Sequence, residues 1–577
     1  MPQVAWSRVP ARMRLVLFVL LAVGLLLAAR LFMWQIIEME RLSTRSQRQV
    51  QVKVPLRARR GDIVTADGTL LATDVFVYTI YVTPRDIRQP QRVAAALAPV
   101  LGQPYDVVLA KLVSTDKNVI LAQEVPHTVA SLVQNVKERL EKEGVALGGL
   151  DLRPGIKRVY PANAFAAHVV GYVNRERLPA YGIEQKLDGD LRGTDGWITG
   201  SSDALRDLIP YDVPLYQPAL DGARVVLTLT SGVQRIAEVE LANAVRETRA
   251  SGGTIIVLDV RTGAILAMAS LPVADLNAYA DPANVDKYSN PAISAQYEPG
   301  SVFKIVTVAC ALQAGTVSEH SVFNDTGRID VGGRTFENPN GLAPGRVTLT
   351  DVLRLSLNVE AVKLSVGLGA ERFYQCVRDF GFGSLTRVEL ANEVAGKVKV
   401  AGDGEWREAD LATNAFGQGI AVTPLQMVMA VGAVANHGTL MRPYIVHEIQ
   451  PAQGQPQRTA PSAVRQVIRP EVARTVSRLL ADAIAAESAH KAQVAGYRVA
   501  GKTGTAQIPV LGKWDPHWTI ASFAGYLPAD DPRLAILVKI DKPQTSVWGS
   551  QVAAPVFATV AQQVVRLLGL PPDAVRQ

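Results

Sequence analysis

The sequence predicts an α+β protein tied to a membrane by one N-terminal helix. Three observations predict it. Leu15 to Ile37 reads LVLFVLLAVGLLLAARLFMWQII, is interrupted only by Arg30 and Gln35, and is long enough to span a bilayer as a helix. The chain has 577 residues, too many for one ordinary core, so two or three domains are expected. Its second half mixes antiparallel strand pairs with helices, with no regular βαβ alternation.

The membrane segment comes first. Arg8, Arg12 and Arg14 precede it, and no acid occurs before Glu38. The positive-inside rule then puts residues 1–14 in the cytoplasm and everything after residue 37 outside the cell membrane. Trp34 suits the outer interface, and Arg30 can snorkel toward it. A cleaved signal peptide is the competing reading, because Leu15 to Ala29 alone has the length of an h-region. Against it, the apolar run continues past Arg30.

A basic polar stretch follows, then RRGDIVTADGTLLATD. Its Asp67-Gly68 pair marks a tight turn, so Ile63-Val64 and Leu70-Leu71 read as a hairpin. Residues 85–145 read as helical, and 153–173 and 181–196 are rich in turn residues. A boundary falls near 215–250. ARVVLTLT reads as a strand, and SGVQRIAEVELANAVRETRA as a helix with Ser231 as its N-cap. GGTIIVLDV and GAILAMAS flank Arg261-Thr262-Gly263 as a β-hairpin. TIASFAGYLP and RLAILVKID make a second strand pair. The last helix, about 552–568, repeats valine at helical spacing and ends at Gly569.

Composition excludes several classes. A net charge of +7, without a Lys/Arg block interleaved with aromatics, argues against nucleic acid as partner. Two cysteines, Cys310 and Cys376, and seven histidines without ligand spacing exclude a disulfide framework and predict no metal. Cys310, among apolar neighbours, reads as a buried free thiol, and one bridge between the two cysteines stays open.

Ser-x-x-Lys occurs three times, at Ser114/Lys117, Ser301/Lys304 and Ser488/Lys491. Only Ser301 follows Pro299-Gly300 and opens a strongly apolar run. Residues three apart on a helix share a face, and a helix N-terminus favours developing negative charge. Apolar neighbours desolvate Lys304, which favours its neutral amine and suits it as general base for the Ser301 hydroxyl. Downstream stand the only Ser-x-Asn, Ser356 and Asn358, and the only Lys-Thr-Gly, Lys502 to Gly504, followed by Thr505.

These three elements, in this order, resemble the penicillin-recognising serine enzymes. The flanks YEPGSVFK, NAFGQGIAVTPLQ, VAGKTGTAQ and SFAGYLPADDPR look like the class B penicillin-binding proteins, with the division-type branch favoured over the elongation-type. RRGDIVTADGTLLA and GIEQKLDGDLRGTDG resemble that family's N-terminal non-catalytic module. One departure is Thr65-Ala66-Asp67-Gly68, where the family usually carries Asp-Arg-Asn-Gly. The resemblance implies an elongated mixed α/β pedestal or dimerisation-type module over 38–245. A transpeptidase domain over 246–570 follows, with an antiparallel sheet flanked by helices, and then a short tail.

The resemblance also implies the chemistry. Ser301 attacks the carbonyl between two D-Ala residues of a peptidoglycan stem peptide, and Lys304 takes its proton. Backbone N–H groups of Ser301 and Thr505 form the oxyanion hole. Ser356 relays the proton to the leaving amine, and Asn358 holds the donor's backbone amide. Lys502, Thr503, Gly504 and Thr505 bind the donor's terminal carboxylate. An acceptor amine resolves the acyl-enzyme, β-lactams mimic the donor, and no cofactor is needed. A polytopic glycan polymerase and other wall-synthesis proteins are the expected partners. The competing functions are a D,D-carboxypeptidase or β-lactamase-like hydrolase, and a non-catalytic β-lactam sensor or scaffold. No carboxylate suited to activating a deacylating water stands out, since Glu389 and Glu393 read as structural.

Overall fold

The structure is a computed structural model that describes residues 11–41, 51–201, 215–486, 491–510 and 513–576. Arg8 and Ser488 lie outside the described residues, as does the side chain of Arg12. The chain divides into two units.

The first unit holds residues up to Ala58 together with Thr194–Leu220. Its helix Ala11–Phe32 passes into a π-helical turn, Met33–Ile37. The helix is apolar all round, and its side chains stay bare: Phe18 and Leu25 are each 71% exposed. A helix of this length whose apolar side chains are exposed among the described residues is suited to lipid. The Arg30 guanidinium lies 4.9 Å over the Trp34 ring, as expected of a cation reaching toward an interfacial aromatic. The same unit pairs Gln51–Leu56, Gly196–Ser201 and Leu215–Gln217 in an antiparallel sheet.

The second unit contains two larger sheets. One runs in the order Gln457–Arg458, Val446–Gln450, Arg224–Leu227, Ile63–Val64, Leu70–Val82, Val119–Pro126, with Leu150–Val159 also paired to Leu70–Val82. The expected hairpin around Asp67-Gly68 is present, with Gly68 at φ +86°, a conformation that costs glycine nothing. Residues 85–145 depart from the helical expectation. Helices Pro90–Leu101, Tyr105–Leu112 and His127–Lys142 are there, but Val119–Pro126 is a strand. Its Leu121 and Val125 are buried under those helices, so tertiary packing overrides the mixed propensity of VILAQEVP.

Ser231 is not the N-cap of its helix. It is the first residue of Ser231–Thr248, and Thr230 before it makes no side-chain cap. The cap comes from the hairpin: Asp67 accepts from the Ser231 N–H at 3.1 Å and from its hydroxyl at 2.5 Å. A carboxylate there satisfies an orphan donor and faces the positive end of the helix dipole.

The other sheet is antiparallel, in the order Ile265–Leu271, Gly252–Asp259, Leu534–Asp541, Lys513–Leu527, Ala500–Val510. Both hairpins expected in the second half are its components. Successive side chains of a strand point to opposite faces. Ile255 and Val257 join the core under Ser231–Thr248 and the final helix Gly549–Leu567, whereas Ile256 and Leu258 join the core containing Val302, Phe303 and Met427. The central strands are covered on both sides, which explains why TIIVLD and LAILVKI are nearly continuous apolar runs. The last helix starts three residues earlier than expected, and Gly569, at φ +63°, follows its end.

Cys310 is not a free thiol. It is bonded to Cys376, tying the helix Lys304–Gln313 to Ala370–Asp379. The two positions lie 66 residues apart, and only the packing of these two helices brings them together.

Candidate active site

Ser301 sits where the chain turns from the Lys-Thr-Gly strand's neighbourhood into an apolar helix. The expected helix start is in detail a 3₁₀ turn, Gly300–Phe303, that runs into the α-helix Lys304–Gln313. In a 3₁₀ turn residues i and i+3 are eclipsed, so Ser301 and Lys304 still share a face. Gly300 has φ +56°, and a Cβ there would stand 3.0 Å from the Thr505 carbonyl. This close approach puts Ser301 against the strand Ala500–Val510.

The cleft at this point has a volume of about 270 Å³ and is lined by Ser301, Ser356, Asn358, Thr503 and Thr505 together with Asn340, Phe416 and Trp548. Three segments far apart in sequence therefore meet in one place. Gly504 contributes by lacking a side chain: a Cβ there would stand 2.8 Å from the Pro299 carbonyl. The Thr505 hydroxyl accepts from Gly549 N–H at 3.1 Å, and its side chain still faces the cleft.

Lys304 is completely buried. Its Nζ donates to the Ser356 carbonyl at 2.6 Å, to Asn358 Oδ1 at 2.8 Å and to Ser356 Oγ at 3.2 Å. The Ser301 hydroxyl has no hydrogen-bond partner among the described residues, and catalytic contacts of this kind often close only when substrate is bound. Burial, with the charge of Lys502 adding to it, holds the Lys304 ammonium well below its ordinary pKa. The arrangement thus favours the neutral amine.

Ser356 adopts φ +57°, an uncommon conformation for a residue with a side chain. It precedes the helix Asn358–Leu368. Asn358 Nδ2 donates to the Glu337 carbonyl at 3.0 Å, so its amide is engaged at both ends. One N–H and one lone pair remain for a ligand. Lys502 is 5% exposed on its strand, with Nζ 3.3 Å from the Thr503 carbonyl.

Sequence reasoning missed Asn340, Phe416, Gln418, Trp548 and Ser550 as lining residues. None carries a reactive group at a readable spacing. Gln418 stands inside the quoted NAFGQG flank, and that loop is fastened to the turn that carries Ser301. Gly300 N–H donates to the Gly417 carbonyl at 3.0 Å, and Gly419 N–H to Glu298 Oε1 at 2.9 Å. Burial pushes the Glu298 carboxyl up.

Trp518, Tyr160 and Tyr172 do not line this cleft. Trp518 is in the strand Lys513–Leu527, with Lys542 Nζ 4.4 Å over its ring. Tyr160 is buried and accepts the Val173 N–H, and Tyr172 stacks on Tyr279. Glu393 caps the Thr386 and Arg387 N–H groups, and Glu389 accepts from Ile445 N–H. Both carboxylates are committed to backbone and neither lines the cleft. Among the described residues no group of acids, histidines and cysteines is arranged to hold a metal.

Comparison with known proteins gives the following. Residues 253–562 match the penicillin binding protein transpeptidase domain, and residues 55–227 the penicillin-binding protein dimerisation domain. The chain is 34% identical to stage V sporulation protein D of Bacillus subtilis, over 98% of this chain and 87% of that protein. It is 29% identical to the peptidoglycan D,D-transpeptidase FtsI of Escherichia coli, over 89% and 85%. Penicillin binding protein 3 of Mycobacterium tuberculosis, solved with aztreonam, superposes with a TM-score of 0.68 at 27% identity, covering 90% of this chain and 98% of that one.

Proposed function

Because the chain belongs to the class B penicillin-binding proteins, we propose that it is a serine D,D-transpeptidase that cross-links peptidoglycan stem peptides through an acyl-enzyme on Ser301. The observation that carries this reading is the buried Lys304 amine, held by Ser356 and Asn358, both of which line the same cleft as Ser301. The division-type branch, favoured by the flanks of Ser301, fits the similarity to FtsI.

In this reading Ser301 Oγ attacks the carbonyl carbon between the two D-Ala residues while the neutral Lys304 amine accepts the hydroxyl proton. The oxyanion is held by the N–H groups of Ser301 and Thr505, each typically worth about 3 kcal/mol. Ser356, 3.2 Å from Lys304, passes the proton to the departing D-Ala amine. Asn358 offers its remaining N–H to the donor backbone. Lys502, Thr503 and Thr505 receive the terminal carboxylate, and Gly504 lets their strand approach. An acceptor amine then attacks the ester, Lys304 takes its proton and passes it to Ser301 Oγ, and the bond to Ser301 breaks as the new peptide bond forms.

The proposed division of the chain is a non-catalytic module over 38–245 and a transpeptidase domain over 246–570, supported by the family matches within those limits. The apolar helix anchors the protein, and the basic residues before it favour a cytoplasmic N-terminus with the catalytic domain outside. A glycan polymerase and other wall-synthesis proteins are the proposed partners.

Transfer is favoured over hydrolysis because Glu389 and Glu393 are engaged with backbone away from the cleft. The test is product analysis. Given a D-Ala-D-Ala stem-peptide donor and a stem-peptide acceptor, the full-length chain in detergent should release D-Ala in step with a cross-linked dimer. Release with only a shortened, uncross-linked peptide would make it a carboxypeptidase. A penicillin adduct without release would leave a sensor, and neither adduct nor release would leave a scaffold.

Lys502 gives a separate expectation. Its positive charge helps depress the Lys304 pKa. Lys502→Ala should slow acylation by a carboxylate-bearing β-lactam about 10- to 100-fold at neutral pH. It should also let the Lys304 pKa rise. Neutral Lys304 then forms only at higher pH, so the acidic limb of the acylation profile should move upward. A pH series of acylation rates reads both effects, and an unmoved limb would remove the Lys502–Lys304 coupling.

A further inference from the structure

Two residues outside the three motifs hold the second motif in place. The helix Asn358–Leu368 follows Leu357, which has no side-chain oxygen and is fully buried in a small core with Val347 and Val352. The first N–H groups of a helix need partners, and position 357 cannot supply one. The partner comes from 21 residues upstream, where Asn338 Oδ1 accepts the Val359 N–H at 3.0 Å. The amide of Asn338 is used on its other side too. Its Nδ2 donates to Asp325 Oδ1 at 2.8 Å and to the Leu342 carbonyl at 2.9 Å. Asp325 Oδ1 also takes the Gly327 N–H at 2.8 Å, and the Asn338 N–H is bonded to the Gly327 carbonyl at 3.1 Å. Asp325 and Asn338 are 1% and 4% exposed.

The neighbours of this pair are catalytic groups. Glu337 accepts from Asn358, so residues 337 and 338 grip residues 358 and 359. Asn358 in turn accepts from Lys304. On the other side, the Leu342 carbonyl fixes the turn Pro339–Leu342, and Pro339, Asn340 and Leu342 line the cleft. Ser356, at φ +57°, needs surroundings that over-determine it. Asp325 is itself an expensive choice. Its Oδ2 is buried without a partner among the described residues. A buried carboxylate left partly unsatisfied calls for an explanation beyond stability.

We propose that Asp325 and Asn338 form a positioning clamp that sets the Ser356–Asn358 turn and the Pro339–Leu342 lip in register with Lys304 for acylation of Ser301. Neither residue touches the reacting atoms. Asp325 orients the amide of Asn338, and Asn338 fixes the helix start and the lip together. The clamp rests on the assignment of Ser301 and Lys304 given above.

The experiment is a concentration series of fluorescent-penicillin acylation on the full-length chain in detergent, which separates the dissociation constant from the acylation rate constant. Asn338→Ala and Asp325→Ala should each lower the rate constant about 10- to 100-fold, the size expected when a catalytic group is misplaced by a fraction of an ångström to one ångström. Asp325→Asn, which keeps the accepting oxygen, should recover most of the loss seen in Asp325→Ala. The structural control is Thr348→Ala, which strips the cap from the neighbouring helix Leu349–Arg354. It should lower the melting temperature yet leave the rate constant within about twofold. The clamp is overturned if both alanine variants acylate at the wild-type rate, or if Thr348→Ala slows acylation as much as they do. If Asn338→Ala does not fold, the contrast between Asp325→Ala and Asp325→Asn decides. Should the wild-type chain carry no adduct on Ser301, the functional reading fails; normal wild-type acylation with unaffected variants removes the clamp alone.

Discussion

A Ser301→Ala variant is expected to take no covalent label from a fluorescent penicillin, with the rate lowered by at least about 10³-fold. The fold should barely notice. Ser301 is half-buried and its hydroxyl has no partner among the described residues, so truncation strands no buried group. A change within about 0.5 kcal/mol in stability is the ordinary result for such a site. The informative rival is Ser356, whose Oγ lies within 3.2 Å of the same amine. Two features favour Ser301. It stands at the start of an N-terminal turn, where unpaired N–H groups can hold an oxyanion, and it faces the Lys-Thr-Gly strand across Gly300. The Ser356 backbone, in contrast, is fixed by the hydrogen bond its carbonyl accepts from Lys304. Peptide mapping of the labelled wild-type chain should find the adduct on Ser301. An adduct on Ser356, or persistent labelling of Ser301→Ala, would overturn the assignment.

How much of this could be read from the sequence depends on the kind of signal. Ser301, Ser356, Asn358 and Thr503 carry reactive or polar groups in short motifs, and the structure brings them to one cleft, with Lys304 bonded to Ser356 and Asn358. The hairpins of the catalytic sheet were legible because each is local: two apolar runs and a turn. Three things were not legible. The strand Val119–Pro126 has no pattern of its own and is extended because Leu121 and Val125 fill a helical layer. The cap of Ser231–Thr248 comes from Asp67, 164 residues away. The Cys310–Cys376 bond joins two helices whose contact no spacing announces. Each depends on long-range packing, as do Trp548 and Asn340 at the cleft. The Asp325–Asn338 pair belongs with them, since an asparagine in a loop gives no sign that it caps a helix elsewhere.

Lys304→Ala should slow acylation by about 10²- to 10⁴-fold, the range for loss of a general base. The difficulty is to separate chemistry from structure, because Lys304 also organises its surroundings. Removing it leaves the Ser356 carbonyl and Asn358 Oδ1 without the donor they now have, and buried acceptors left unpaired cost about 1–3 kcal/mol each. A melting temperature alone would therefore mislead. The pH profile resolves the matter. In the wild-type chain the rate should rise with pH as Lys304 loses its proton, at a pH well below that of an ordinary lysine because burial and the Lys502 charge both disfavour the ammonium. In Lys304→Ala that limb should vanish, and the residual rate should follow hydroxide alone. A purely structural lysine would behave differently, slowing the reaction while the limb stayed in place under another group's control. Normal acylation by the variant, or an unchanged limb, would remove Lys304 as the base. It would leave the buried amine as a strut for the Ser356 turn.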